Sequence, residues 1–455
     1  MSKPGGALTQ VCLTVVVAVL VVGGLAPEMT EAAASPRSIT DCKNDSQLQT
    51  DAARGGDYVV RCSGSIDLTK ALVITHPFSL SAGGHAVSIC GYRCTGTVAK
   101  YTDYRGRFMV VRADVTLTGL LLYGGALDGR DGKEGTDGGQ STGGAAGNGG
   151  NGQAGASEIP GGALALVSAG GRLTLHSDTI QDFYLYGGQG GEGGLGGAGC
   201  GCTGPSGNVS ADAGRGGAGG LSGGADGGAI DVLSGGTLIA DASKFIGNDA
   251  SSGLGGLGGF GGDNGYPAAG NGGPGGDAGA ARGGAIYNAG SATINGGSFL
   301  QNELYSDGGT GGLGGTPALG PSGQTDGRSG TGGLGGSAAP AEGGAIFNTG
   351  TLTINGASFS QNFAGSYGGG GGDGGGEASA GGAGGPGGAA GVAAGGAIFT
   401  SRKPKCLVAR FSKNTVTAPG GAGGANGNTG VTSHPGKSGT TAGPTVYGAQ
   451  VQKRC

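Results

Sequence analysis

The stretch Gly343-Gly344-Ala345-Ile346-Phe347-Asn348, followed by Leu352-Thr353-Ile354 and then by Phe359 and Asn362, decides the fold. It is one copy of a unit that recurs. Gly161-Gly162-Ala163-Leu164, Gly227-Gly228-Ala229-Ile230, Gly283-Gly284-Ala285-Ile286 and Gly395-Gly396-Ala397-Ile398 open the other copies. A second apolar strand follows each opening. In four of the five copies Phe-x-x-Asn comes next, at Phe245/Asn248, Phe299/Asn302, Phe359/Asn362 and Phe411/Asn414. Thirteen residues separate Ile286 from Phe299, Ile346 from Phe359 and Ile398 from Phe411. The distance from the asparagine to the next Gly-Gly pair varies, being 35, 41 and 33 residues in the last three intervals. A rigid unit joined by length-tolerant insertions has this signature, because doubling a loop costs only about 0.6 kcal/mol.

Strands this short cannot bury an apolar face alone, but stacked at ~4.8 Å per layer they bury it against the next copy. The expected fold is all-β: a right-handed parallel β-helix, or solenoid, with long Gly-rich arms of polyproline-II type. Alternation of side chains puts Ile286, Ile346 and Ile398 in one interior column and the phenylalanines in another. Asn248, Asn302, Asn362 and Asn414 are expected as a structural ladder at a turn. Tyr287, Phe347 and Phe399 follow the inward isoleucines and fall on the outer face. There they either hold a ligand such as a sugar ring or pack beneath the arms.

The insertions carry their own period. Gln189, Glu192, Leu195 and Ala198 are separated by Gly-Gly, as are Leu254, Leu257, Phe260 and Asp263. A period of three is that of the polyproline-II helix, rising ~3.1 Å per residue. In such a helix every third side chain lies on one ridge and the glycine ridges stay smooth. Breakers such as Tyr266-Pro267-Ala268-Ala269 divide each insertion into two runs, so out-and-back hairpins stacked beside the solenoid are expected. Flexible linker is the competing reading.

The unit resembles the repeats of the chlamydial polymorphic outer-membrane proteins, which combine Gly-Gly-Ala-Ile with Phe-x-x-Asn. The match is good over Gly283 to Asn302 and over Gly343 to Asn362, and partial over the rest of 161–415. Tyr186 stands where an asparagine would follow Phe183, and Thr400 replaces the first asparagine. The resemblance implies a right-handed parallel β-helix of the pectin-lyase-like class, often adhesive and exposed on a surface. The chain lacks the pattern of a C-terminal membrane barrel, and its cysteines are unusual for an autotransporter passenger. It therefore reads as a secreted relative of that repeat class.

Other features bound the function. Residues 1–34 read as a signal peptide, with Lys3, an apolar run from Val11 to Leu25 and Ala32-Ala33-Ala34 as the cleavage site. That run is short of the ~20 residues of a comfortable span. The remaining boundaries are 35–123 for an N-terminal cap and first coils, 124–160 for a Gly-rich acidic arm, 161–418 for the repeats with their insertions, and 419–455 for a Gly-rich segment with a closing strand. Eight cysteines outside the signal, Cys42, Cys62, Cys90, Cys94, Cys200, Cys202, Cys406 and Cys455, suggest disulfides in an oxidising compartment. The expected pairs are 42–62, 90–94 and 406–455, with Cys200 and Cys202 open between a tight ring and other partners.

Glycine supplies 120 of 455 residues, tryptophan none, and the net charge is −4, which leaves no electrostatic footprint for nucleic acid. His76, His85 and His434 have no metal spacing, and no cofactor or metal is expected. His176 with Asp178 and Asp182 is the one candidate acid–base group, and turn chemistry explains it better. The acids of Asp128 to Asp137 also repeat every third residue and would line one ridge. The expected function is a secreted or cell-surface structural, adhesive protein without catalytic activity, with surface glycans or extracellular matrix as partners. Alternatives are a polysaccharide-active enzyme, a carbohydrate-binding protein, and an ice-binding protein using Thr174, Thr293 and Thr353.

Overall fold

The computed structural model describes residues 35–91, 106–142, 145–156, 161–204, 207–264, 268–317, 327–376, 381–427 and 434–448. The signal segment 1–34, Cys94, Cys455 and the side chain of Cys202 fall outside the described residues. Each full coil is built from five short strands. In one coil these are Ala281–Arg282, Ile286–Asn288, Ser291–Asn295, Ser298–Leu300 and Glu303–Asp307. Each pairs in parallel with its counterpart in the next coil, Ile286 with Ile346, Ala292 with Leu352, Phe299 with Phe359 and Leu304 with Ala364. The chain is therefore a stack of parallel sheets, the arrangement of a β-solenoid.

Alternation decides what is inside. Ile230, Ile286, Ile346 and Ile398 are all 0% exposed, and Phe245, Phe299 and Phe359 stack with ring centroids 4.6 Å apart. At the entry to the stack the helix Ser46–Arg54 buries Leu48 and Ala52, covering an otherwise open edge. The Cys42–Cys62 disulfide ties this cap to the first coil. Cys90, Cys200 and Cys406 are also disulfide-bonded.

Two buried amide ladders run through the described part of the stack. The Asn248 side chain donates to Asn302 Oδ1 at 2.8 Å, Asn302 to Asn362 at 2.9 Å and Asn362 to Asn414 at 2.8 Å. Each also reaches back to the carbonyl of the preceding coil, Asn302 to Phe245 and Asn362 to Phe299. The second ladder joins Asn288 to Asn348 at 2.6 Å and ends where Asn348 donates to the Thr400 hydroxyl. One register differs from the sequence reading. Ile180 pairs with Phe245, and Tyr184 with Asp249, so Phe183 rather than Tyr186 occupies the asparagine position. The Phe183 N–H still meets the ladder by donating to Asn248 Oδ1.

The arms are ordered. Among the described residues six out-and-back hairpins leave the coils at one corner. Along each extended run the first glycine of a triplet donates to the outward residue of the next arm, as Gly190 does to Leu254, Gly193 to Leu257 and Gly196 to Phe260, all at 2.8–2.9 Å. The second glycine donates to an antiparallel run. Gly194 donates to Gly150 of the preceding arm's return run, and Gly217 to Gly194 of its own arm's outward run. Outgoing runs thus form one layer and returning runs another, with two glycine ridges buried and the third residue facing out. The third N–H of each triplet faces out as well, and an Asp or Asn of the preceding arm often accepts it, Asp137 from Leu195 at 2.9 Å and Asn148 from Arg215 at 2.9 Å.

Contact is close enough to exclude a Cβ. One added at Gly194 would lie 2.1 Å from the Thr136 carbonyl oxygen, and one at Gly217 would lie 1.9 Å from that of Gly150. At Gly139, on the free edge of the first arm, a Cβ would meet nothing within 4 Å. Gly194→Ala should therefore destabilise by at least the ~1–3 kcal/mol of an overpacked core. Gly139→Ala should stay within about 0.5 kcal/mol. Thermal melts of the two variants check this, and equal melting temperatures would remove the packing account of the arms.

Candidate functional site

The outward aromatics anticipated from the sequence form a column that is partly covered. Tyr287, Phe347 and Phe399 stack at 5.2 and 5.1 Å, and Tyr447 lies tilted 5.7 Å from Phe399. Phe347, however, is 5% exposed, and the Arg282 guanidinium lies 5.6 Å from its ring centroid. Arg282 is held by Asp226 at 3.4 Å and Glu342 at 3.9 Å, so the two-residue strands at the arm returns cover the column at Phe347.

The acid–base candidate also comes apart. Asp178 is 0% exposed and bonds the Leu120 N–H, whereas His176 pairs with Asp241 at 3.1 Å on the outer face, and Asp182 occupies a turn at φ 54°. The threonine column reads Thr116, Thr174, Ile239, Thr293, Thr353, so isoleucine breaks it. No group of three or more metal-ligating side chains occurs among the described residues, the acids of Asp128 to Asp137 included.

The sheet after the asparagine ladder presents a different surface. Its strands alternate, so Leu185, Ala250 and Leu304 point inward while Tyr184, Asp249 and Glu303, and then Tyr186, Ser251 and Tyr305, point out. Where this sheet runs into the outgoing arms there is a cleft of about 300 Å³, lined by Tyr186, Gln189, Ser251, Leu254, Tyr305 and Asp307. The Tyr305 hydroxyl donates to Glu303 at 2.6 Å, and its ring packs 5.2 Å from Phe363 and 6.3 Å from Tyr367. Asp249 accepts from the Ser251 hydroxyl at 2.7 Å. Burial pushes Asp249 up to about 7 against that bond, and the charges of Glu303 and Asp307 add to the rise. Burial also raises Asp307, whose Oδ1 has no hydrogen-bond partner among the described residues.

From the cleft an apolar ridge runs out along the third arm, Leu254, Leu257 and Phe260, at three-residue intervals. Hydrogen-bond register places Leu195 of the second arm and Leu313 of the fourth on either side of Phe260, since Gly196 donates to Phe260 and Gly261 to Leu313. These five side chains are 43–50% exposed. Contiguous exposed apolar surface is a common property of interaction sites, and two further exposed leucines, Leu221 and Leu334, stand on the returning layer. Around the ridge the charged outward residues are all acidic: Asp131, Glu134, Asp137, Glu192, Asp263, Asp307 and Asp373.

Capping accounts for only part of that charge. On the outgoing layer the caps are Asp131, Asp137, Asp263 and Asp373, while on the returning layer Asn148, Asn151 and Asn271 do the same work beside Asp277. An amide oxygen suffices for a cap, so the preference for carboxylates on one layer adds charge that folding does not require. No protein-family model, no curated protein and no solved structure matches the chain.

Two further acids are buried, Asp178 beside the core and Asp231 in the outward register of Tyr287. Asp178 Oδ2 and Asp231 Oδ1 are buried without partners among the described residues. Burial pushes Asp178 up to about 6 and, with the neighbouring Asp226, pushes Asp231 up to about 7. The folded chain therefore holds protons that the unfolded chain releases above about pH 4, and stability falls as pH rises from there to about 7. For Asp178 alone the loss is on the order of 3 kcal/mol, because each tenfold change in proton affinity is worth about 1.4 kcal/mol. The melting temperature should be lower at pH 8 than at pH 5, and Asp231→Asn should narrow the gap. A melting temperature that is flat or rises over this range would contradict the burial of these carboxyls.

Proposed function

We propose that the chain is a secreted or cell-surface structural protein of adhesive type, a right-handed solenoid that holds the outgoing layer of arms as a rigid contact face for extracellular matrix or surface glycans. The observation that carries this reading is the exposed apolar ridge on a layer whose folding does not need it. The right hand follows from the strong preference of parallel crossover connections. The disulfides support an oxidising compartment. No helix among the described residues is long and apolar enough to cross a membrane. The polysaccharide-active reading is weaker. Hydrolysis of a glycosidic bond ordinarily takes two carboxyls flanking it, and of the cleft lining only Asp307 is a carboxylate.

The test is retention of the full chain on matrix-coated and glycan-coated surfaces. Leu257→Ser with Phe260→Ser should lower retention roughly tenfold, about 1.4 kcal/mol, with the melting temperature unchanged. Full retention by that double variant, or release of reducing ends from polysaccharides by the wild type, would overturn the reading.

A further inference from the structure

We propose that the outgoing face binds an extended basic and apolar segment of a partner protein, with one lysine or arginine seated in the cleft at the arm bases and apolar side chains lying along Leu254, Leu257 and Phe260. This rests on the adhesive reading and names the kind of partner.

Three observations converge. The cleft is lined by Tyr186, Tyr305 and Asp307, and one Asp307 oxygen is buried behind it without a partner among the described residues, leaving the other for a ligand. A cation over an aromatic face is attracted by the ring quadrupole, and a carboxylate alongside adds a charge-assisted hydrogen bond. The volume, about 300 Å³, suits one long side chain and its head group.

The ridge then sets the form of the ligand. Leu254 and Phe260 are six residues apart, or ~19 Å in a helix rising ~3.1 Å per residue. A partner in the same polyproline-II conformation matches this triplet for triplet. Its basic residue at position i sits in the cleft, with apolar residues at i+3 and i+6 beside Leu257 and Phe260. The face widens at the far end, where Leu195 and Leu313 flank Phe260, so the bulkiest apolar residue belongs there.

Charge selects against other occupants. Every charged residue at the outward position of this layer is acidic, and the layer's only cations among the described residues, Arg130 and Lys133, lie at the free edge of the first arm. A second copy would bring the same acids face to face, and an anionic lipid surface would be repelled. A basic segment is drawn in, with an attraction that salt screens.

The experiment uses the full chain and labelled synthetic peptides on a Pro/Ser background, with Arg at i and Leu at i+3 and i+6, read by fluorescence anisotropy at low and high salt. Replacing Arg by Glu in the peptide should weaken binding at least tenfold, and high salt should weaken the Arg peptide alone. Asp307→Asn and, separately, the exposed Phe260→Ser should each weaken the Arg peptide about tenfold. The second variant keeps the test open if the first fails to fold. Equal affinity for Arg and Glu peptides, wild-type affinity in both variants, or binding of neutral oligosaccharides in place of the peptides overturns the proposal. Loss of surface retention on Phe260→Ser without peptide discrimination overturns this partner class and leaves the adhesive reading standing. Peptide binding with unaltered retention supports the partner class and removes adhesion as its use.

Discussion

A parallel coil advances ~4.8 Å per turn, and whatever leaves successive coils at one corner must pack at that spacing. Two backbones ~4.8 Å apart leave no room between them for a Cβ, and a second layer behind closes the other side. The carbonyl contacts near 2 Å that an added Cβ would make at Gly191, Gly194, Gly217 and Gly256 express this one constraint. Glycine loses more conformational freedom on ordering than any other residue. The stack compensates by giving the glycines of each triplet regular hydrogen bonds to neighbouring arms, which satisfies backbone groups that a single polyproline-II helix leaves to water.

The same constraint explains where glycine is absent. The first arm has no predecessor, and Arg130, Lys133 and Thr136 occupy the position that Gly188, Gly191 and Gly194 hold one arm later. In the last arm Pro435 and Ser438 replace the glycines that elsewhere donate to a following arm. Proline has no N–H to offer there, which blunts an edge that would otherwise template another run. Pro274, Pro386 and Pro419 all stand at outward positions, where the arm bonds use the carbonyl and leave the N–H unneeded.

Much of this is legible in the sequence because the constraint acts on residue identity. Period three betrays the arms, and the thirteen-residue step from isoleucine to phenylalanine betrays the coil. The features that the sequence hides have no such signature. Phe183 stands out as a phenylalanine, but register goes by position, and the ring sits at the asparagine site against Phe108 at 4.9 Å. The column at Phe347 lies on the outer face, as alternation requires. Its cover comes from Ala281–Arg282 and Ala341–Glu342, strands of two residues that carry no pattern of their own. The cleft has no sequence signal because its column changes identity from coil to coil, Tyr186, Ser251, Tyr305 and then Gly365. Only counting three residues past each ladder position aligns it.

The arrangement separates folding from display. A side chain at the third position of a triplet projects away from both layers, so the bundle closes equally well whether that residue is Gly, Ala, Thr or Leu. All of these occur there, at Gly370, Ala422, Thr310 and Leu257 in a single register row. Burial within the arms therefore gives no reason for Leu254, Leu257, Phe260, Leu195 and Leu313 to be large and apolar, and exposure to water gives a reason against it. The carboxylates around them stand where an amide would cap as well. Packing, capping and solubility all leave these positions open, and five large apolar residues nonetheless stand side by side on the outgoing layer, while Leu221 and Leu334 stand on the returning one; that grouping is what supports the proposed contact face.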